Sequence, residues 1–219
     1  MELLVMTLAY TTPERDTDVL ARVRLVGETI HNVPGMMTSQ LYRGRGTEPC
    51  YAIFTTWESE DAWRRARERY SPRHLLAASN DLFISSPEQW YLSYLWGYNR
   101  PSVTPLIASL HLATIPLEKA DVVQRGWVEG LHRQETQSLL AFSFLARGTD
   151  ESTLTLPSME NTGAITPSPV AQQATLFLNL LSWTNDEDRE AFFADPDYKA
   201  IKRFLRNTGI LHILSLEAM

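Results

Sequence analysis

The side chains in this chain best suited to chemistry are a set of aromatic rings and a few histidines. In the first hundred residues Trp57, Trp63, Tyr70, Trp90, Tyr91, Tyr94, Trp96 and Tyr98 supply flat apolar walls with polar tips. That is the material of a slot for a planar aromatic ligand, which needs apolar walls and a few polar groups. Histidine is the natural base for a phenol near neutral pH. His74 stands in Ser71-Pro72-Arg73-His74, where Ser-Pro opens a short helix. It reads as a proton-transfer or substrate-binding group, or else as a solvated helix residue. His111 lies in the middle of an apolar, strand-like run and can line a cavity, whereas His31 follows a helix and favours its negative end. His132 and His212 have weaker contexts.

The remaining reactive side chains have plainer readings. Arg64, Arg65, Arg67 and Arg69 form a solvated helix face, from which one arginine, or Arg73, can hold a phosphate or a phenolate. Cys50 is the only cysteine. It reads as a small buried residue rather than a nucleophile, since no histidine neighbours it in sequence. No G-x-G-x-x-G follows a strand and no H-E-x-x-H occurs, so neither a dinucleotide fingerprint nor that metal motif is present.

The elements that must position these groups occur twice. Ala52 to Trp57, an acidic helix start at Glu58 to Asp61, and Ser71-Pro72 recur as Leu178 to Trp183, Asp186-Glu187 and Asp195-Pro196. Leu3 to Tyr10 matches Leu106 to Ala113, and Arg43-Gly44 matches Arg147-Gly148. A period of about one hundred residues exceeds the roughly 20–50 of a solenoid unit, so the chain holds two copies of one small domain, residues 1–100 and 101–219. Because Trp57 recurs as Trp183, packing in both copies accounts for it as readily as function does. Trp57 follows Gly44 by 13 positions whereas Trp183 follows Gly148 by 35, so the second copy carries 22 extra residues. They fall in a Ser-, Thr-, Pro- and Gly-rich stretch, 149–173, expected to be a surface loop or a lid.

Each copy reads strand, helix, strand, strand, helix, strand. Asp16 or Thr17 is expected to cap a helix running to Ile30 on a stripe of Val19, Val23, Val26 and Ile30. Pro34-Gly35 then breaks the chain before the second strand. The order β-α-β-β-α-β is the ferredoxin-like motif, a sheet with helices on one face. Two copies can close their bare faces on each other, so the expected fold is α+β: two ferredoxin-like repeats forming one pseudo-dimeric α+β barrel. One working cavity is expected between the sheet and helices of the N-terminal copy. The C-terminal copy, whose last strand from Ile210 to Leu216 has no aromatic residue, is expected to be largely structural.

Composition narrows the partners. The chain has 219 residues, 44% of them hydrophobic, enough for a large core. Net charge is −6 and pI about 5.4, which gives no general attraction to nucleic acid or to an anionic membrane. Apolar runs fall short of the roughly 20 residues of a membrane helix, and the opening Met1-Glu2 lacks the basic region of a signal peptide. With a single cysteine, the cytoplasm is the compartment that fits.

Taken together, Pro34-Gly35, the strand ending in Arg43-Gly44, the run from Tyr51 to Trp57, the acidic helix start and Ser71-Pro72-Arg73-His74 resemble the antibiotic-biosynthesis monooxygenases of the dimeric α+β barrel superfamily. The likeness covers nearly the whole chain in two copies, the first being the cleaner. In size and tandem layout the chain is also similar to the angucyclinone ring-opening oxygenases of jadomycin, gilvocarcin and kinamycin assembly. What the resemblance implies is oxygenation of a polycyclic aromatic polyketide, a phenol or hydroquinone, in secondary metabolism. It implies His74 and Trp57 as catalytic residues; the residues themselves, as slot walls and polar groups, give Trp63, Tyr70, Trp90, Tyr94, Arg73 and His111 as the expected substrate-binding set. It further implies no tightly bound cofactor and no metal; reduced flavin (FADH2 or FMNH2) would act as a diffusible cosubstrate beside O2, with a flavin reductase as partner. A haem-degrading relative would carry a histidine about ten residues past the Trp, where this chain has Arg67 and Phe193. Two other readings stay open: a cofactor-free cyclase, isomerase or decarboxylase on the same barrel, and a non-catalytic ligand-binding barrel.

Overall fold

The structure is a computed structural model, and it describes residues 2–47, 49–101, 103–135, 139–149, 154–156 and 172–219. The first repeat comprises β1 (Leu3–Tyr10), α1 (Asp16–Ile30), β2 (Met36–Gly44), β3 (Cys50–Trp57), α2 (Glu60–Tyr70), α3 (Pro72–Ala77) and β4 (Glu88–Asn99). The second comprises β5 (Ile107–Pro116), α4 (Ala120–Glu135), β6 (Phe142–Gly148), β7 (Leu154–Leu156), β8 (Gln172–Trp183), α5 (Asp186–Ala194), α6 (Pro196–Thr208) and β9 (Ile210–Ala218). Short 3-10 turns, Pro13–Arg15 and Leu117–Lys119, lead into α1 and α4. Strand β7 falls inside the inserted stretch, where no strand was expected; 150–153 and 157–171 of that stretch lie outside the described residues.

All neighbouring strands pair antiparallel. Each repeat forms a four-stranded sheet, β2-β3-β1-β4 and β6-β8-β5-β9, and the sheets join where β4 pairs β6 and β2 pairs β9. Eight strands therefore close into one barrel, the pseudo-dimer expected from the duplication, while β7 adds to the start of β8. Each repeat's last strand lies against the other repeat's second strand. Closure leaves no free edge on those eight strands and holds the repeats together through backbone hydrogen bonds. Arg45 adds a forked pair to Asp186 across the junction at 2.7 and 2.8 Å. Both side chains are well exposed, so the pair contributes at most about 1 kcal/mol.

Strand alternation sorts the side chains into three cores. Leu4, Met6, Leu8, Phe54, Leu110, Leu178 and Leu180 fill the barrel interior. On the outer face of the first repeat, Val5, Ile53, Trp57, Trp63 and Leu76 pack with the α1 stripe of Val19, Val23, Val26 and Ile30. In the second repeat, Ile115, Phe177, Leu181 and Trp183 pack against Trp127 of α4 and Tyr198, Ile201 and Leu205 of α6.

Helix starts follow capping chemistry in most places. Ser59 accepts from the Ala62 amide, Asn185 from the Asp188 amide, and Asp195 from the Asp197 and Tyr198 amides. α1 departs from expectation: Arg15 occupies its N-cap position without a side-chain cap. The carboxylate of Asp16 is instead taken by the Tyr51 hydroxyl at 2.6 Å and by an ion pair with Arg43. Gly35 adopts φ +85°, and a Cβ there would lie 2.7 Å from that of Ala62. Only glycine meets both demands.

Candidate active site

The aromatic residues grouped by sequence do not share a cavity. Trp57, Trp63, Tyr70 and Tyr91 lie under the helices of the first repeat, Trp90 and Tyr94 face the barrel interior, and Trp96 and Tyr98 pack with the second repeat's helices. Two features of β4 separate them: side chains alternate across the sheet, and a register irregularity lies between Tyr94 and Trp96. From Leu92 onward β4 runs along β6, so its far end serves the other repeat, and Trp96 meets His132 of α4 edge-on.

The helix-covered layer of the first repeat is well filled. Trp57 is fully buried, its Nε1 donates to Thr55 Oγ1 at 2.9 Å, and its ring lies 5.1 Å from that of Trp63. Gln89 Oε1 accepts from Thr7 and Ser71 at 3.2 and 3.0 Å, and Gln89 Nε2 donates to Tyr91 at 3.1 Å. His74 and Arg73 are both exposed on α3. Thus the structure gives the proposed catalytic pair, His74 and Trp57, no common space: one side chain faces outward and the other is packed.

The enclosed void lies instead in the C-terminal repeat, expected to be the structural one. Its walls include His111 of β5, Asn179 of β8, Gln134 of α4, and Tyr198 and Lys202 of α6. The repeats can be superposed through their strand registers, because Leu3 pairs Trp57 just as Ile107 pairs Trp183. On that frame the cross-strand pair Thr7–Ile53 becomes His111–Asn179. Likewise His74, third after its Ser71, corresponds to Tyr198, third after Asp195. The second repeat therefore carries larger polar side chains, His111 and Asn179, at helix-facing strand positions where the first has Thr7 and Ile53. Comparing the two copies position by position in the sequence carries this signal.

His111 Nε2 and the Tyr198 hydroxyl are 2.8 Å apart. The Asp195 cap and Pro196 start α6 so that Tyr198 falls in its first turn against the sheet. Phe193 stacks on the Tyr198 ring at 4.9 Å and 25° and meets His111 edge-on, which fixes both orientations. Burial, reinforced by the charge of Lys202 and opposed by the Asn179 backbone, pushes the His111 pKa down to about 3. Burial also raises the Tyr198 phenol above its ordinary value, Arg206 opposing. The resting pair is thus a neutral imidazole and a protonated phenol. The phenol donates to Nε2 in the tautomer that carries its proton on Nδ1.

Among the described residues, three polar atoms here lack partners. His111 Nδ1 and both amide atoms of Gln134 are buried with no hydrogen bond. The Asn179 carbonyl influences His111 electrostatically without reaching hydrogen-bond geometry. Asn179 spends its own Nδ2 on the Phe144 carbonyl at 2.7 Å, tying β8 to β6. An unmet buried polar group costs about 1–3 kcal/mol, so three around one void form a site that a polar ligand would complete. The void is small, about 10 Å³, room for about one water molecule. α4 and α6 sit close because Gly126 and Gly130 face Phe204 and Ile201.

Among the described residues no three His, Cys, Asp or Glu side chains converge as metal ligands, and no described helix is long and apolar enough to cross a membrane.

Comparison with known proteins adds the following. Residues 3–76 match the family model described as antibiotic biosynthesis monooxygenase. No curated protein matches the chain. Among solved structures, an anthrone oxidase-like protein superposes with TM-score 0.71 at 11% identity, covering 100% of this chain and 91% of that one. A candidate monooxygenase from Fusobacterium nucleatum gives 0.68 at 7% identity, covering 99% and 92%. A monooxygenase-like protein from Listeria innocua gives 0.54 at 8% identity, covering 99% and 94%. At these identities the likeness is one of fold: whole chains of this tandem size share the barrel.

Proposed function

We propose, from the match of residues 3–76 to the antibiotic biosynthesis monooxygenase model, that the protein is an oxygenase whose chemistry occurs in the C-terminal repeat, at His111 and Tyr198. The substrate class is a planar polycyclic phenol or hydroquinone of the aromatic polyketide type. The observation that carries this reading is the buried His111–Tyr198 hydrogen bond beside a void with unpartnered polar atoms. The anthrone oxidase-like neighbour supports the substrate class by analogy of fold.

In this reading the substrate hydroxyl donates to the Tyr198 oxygen while Tyr198 keeps its own proton in the hydrogen bond to a neutral His111 Nε2, so the pair orients the substrate and disperses the charge that builds as its proton is lost. Lys202, at the void's edge, favours the substrate anion for the same reason that it disfavours a charged His111. The unpartnered Gln134 amide and His111 Nδ1 hold the substrate's remaining oxygens. The electron-rich anion then reacts with O2. For an anthrone, one O2 is consumed, one oxygen atom enters the ring to form the quinone, and the other leaves as water. Because the void admits about one water, Ile201 and Leu205 must withdraw for a polycycle to enter. The void does not fit a tricyclic flavin as it stands, so no step is assigned to one. Reduced flavin with a partner reductase remains part of the proposal only as a diffusible electron source.

The test is oxygen uptake with 1,8-dihydroxyanthrone, with and without reduced flavin, following the product by mass. Enzyme-dependent uptake with a product gaining oxygen supports the reading; dependence on flavin would favour the ring-opening type. Absence of uptake in both arms refutes it and favours a cyclase, isomerase or binding role, for which the acid–base pair alone suffices.

A further inference from the structure

We propose that the barrel mouth holds a second binding site, for a neutral planar polycycle with a hydroxyl or carbonyl on one edge. An open pocket of about 600 Å³ lies where β4, β6 and the start of β2 meet, lined among others by Met37, Thr38, Thr56, Tyr94, Phe142 and Phe144. This falls within the roughly 300–1,000 Å³ of small-molecule sites. It opens at the barrel rim, with Tyr94, Phe142 and Phe144 from the inner face and Trp96 and Tyr98 from the layer packed on the second repeat's helices, and it shares no lining residue with the His111 void.

The walls are aromatic and pre-arranged. Tyr94 and Phe142 each meet Phe144 edge-on, with ring centroids 5.4 and 5.8 Å apart. Ring edges placed this way leave faces for a flat ligand, at about 0.5–1.5 kcal/mol per aromatic pair beyond area burial. At the floor the Tyr94 hydroxyl and Thr56 Oγ1 share a hydrogen bond of 2.8 Å. Together they retain one hydroxyl donor and further acceptor capacity, which suits a ligand carbonyl or hydroxyl at the inner end. Gly97 pairs Phe144 in the ladder, and a Cβ there would meet nothing nearer than the Ser143 carbonyl at 3.9 Å. The pocket therefore exists in part because position 97 has no side chain. Register irregularities on two of its strands, at Met36/Thr38 and Tyr94/Trp96, shape the rim.

Charge selects the ligand. Glu2 is the one ionic residue lining the pocket, with no lysine or arginine among the lining residues. A phosphate or sulfonate would thus meet a carboxylate without a counter-cation, while a neutral polycycle meets apolar walls and a hydrogen-bonding floor.

The test is calorimetric titration with neutral 1,8-dihydroxyanthraquinone and with anthraquinone-2-sulfonate. We expect the neutral probe to bind at least tenfold more tightly than the sulfonate. Gly97→Leu, which fills the pocket, should weaken neutral binding at least tenfold, and Tyr94→Phe about threefold or more, and both losses should persist in a His111→Gln background, which removes any contribution of the C-terminal void. Circular dichroism checks folding, and Tyr94→Phe serves alone should Gly97→Leu misfold. Equal affinity for both probes, or neutral binding unchanged by Gly97→Leu and Tyr94→Phe, overturns the proposal. Binding lost in His111→Gln but retained in Gly97→Leu assigns the probe to the C-terminal void and likewise overturns it, whatever reaction that void catalyses.

Discussion

Replacing His111 by Gln should remove a pH dependence of stability whose size follows from burial. The folded protein holds His111 neutral, with its pKa pushed down to about 3 from 6.5. As pH falls, the unfolded chain takes up this proton first. The stabilisation is thus fully present above about pH 6.5 and is lost progressively towards pH 3. Between pH 7 and pH 5 the folded value lies too low to matter, so the loss is set by the unfolded histidine and amounts to about 2 kcal/mol. Glutamine keeps an acceptor for Tyr198 but does not titrate. His31, His74, His132 and His212 are exposed and present in both proteins, so they cancel in the difference. Urea unfolding of both proteins at pH 7 and pH 5 gives the comparison. Wild type should lose about 2 kcal/mol more than the variant over that interval. Parallel losses would mean that His111 is solvated or already charged in the fold, and the neutral-imidazole mechanism would fail with it.

Other consequences are simpler to read. Gly35→Ala should cost about 2 kcal/mol in thermal or urea unfolding, because the left-handed φ and the contact with Ala62 act together. Trp57→Phe should destabilise by about 1 kcal/mol more than Trp183→Phe, since Trp57 Nε1 bonds Thr55 while Trp183 Nε1 has no partner; equal losses would contradict this. Cys50 is buried and its thiol is pushed up to about 11, chiefly by burial. Ellman's reagent should therefore leave the native protein unmodified at pH 8 and titrate one thiol in denaturant.

The architecture was legible because its signals are local and repeated. The helix from Asp16 to Ile30 and the strand from Leu3 to Tyr10 have the expected ends, and the paired Trp and Ser/Asp-Pro landmarks identify two copies, hence a closed barrel. The cavity was not legible, because it depends on which face of a strand each residue takes. Trp90 and Tyr91 are neighbours in sequence and on opposite faces in space, and the irregularity after Tyr94 hands Trp96 to the other repeat. Pooling β4's aromatics into one slot overlooked that alternation. His111 and Asn179 are brought together by antiparallel pairing between distant strands, and neither stands in a motif. Only their replacement of Thr7 and Ile53 at matched positions sets them apart.

The central claim, that chemistry belongs to the C-terminal pair, is tested most directly by steady-state oxygen uptake with 1,8-dihydroxyanthrone across three variants. His111→Gln and Tyr198→Phe should each lower kcat by about 100-fold or more, the usual contribution of a positioned acid–base group, while His74→Ala stays within about threefold of wild type. Full activity in both C-terminal variants, with loss in His74→Ala, would contradict the claim and return the site to the N-terminal repeat.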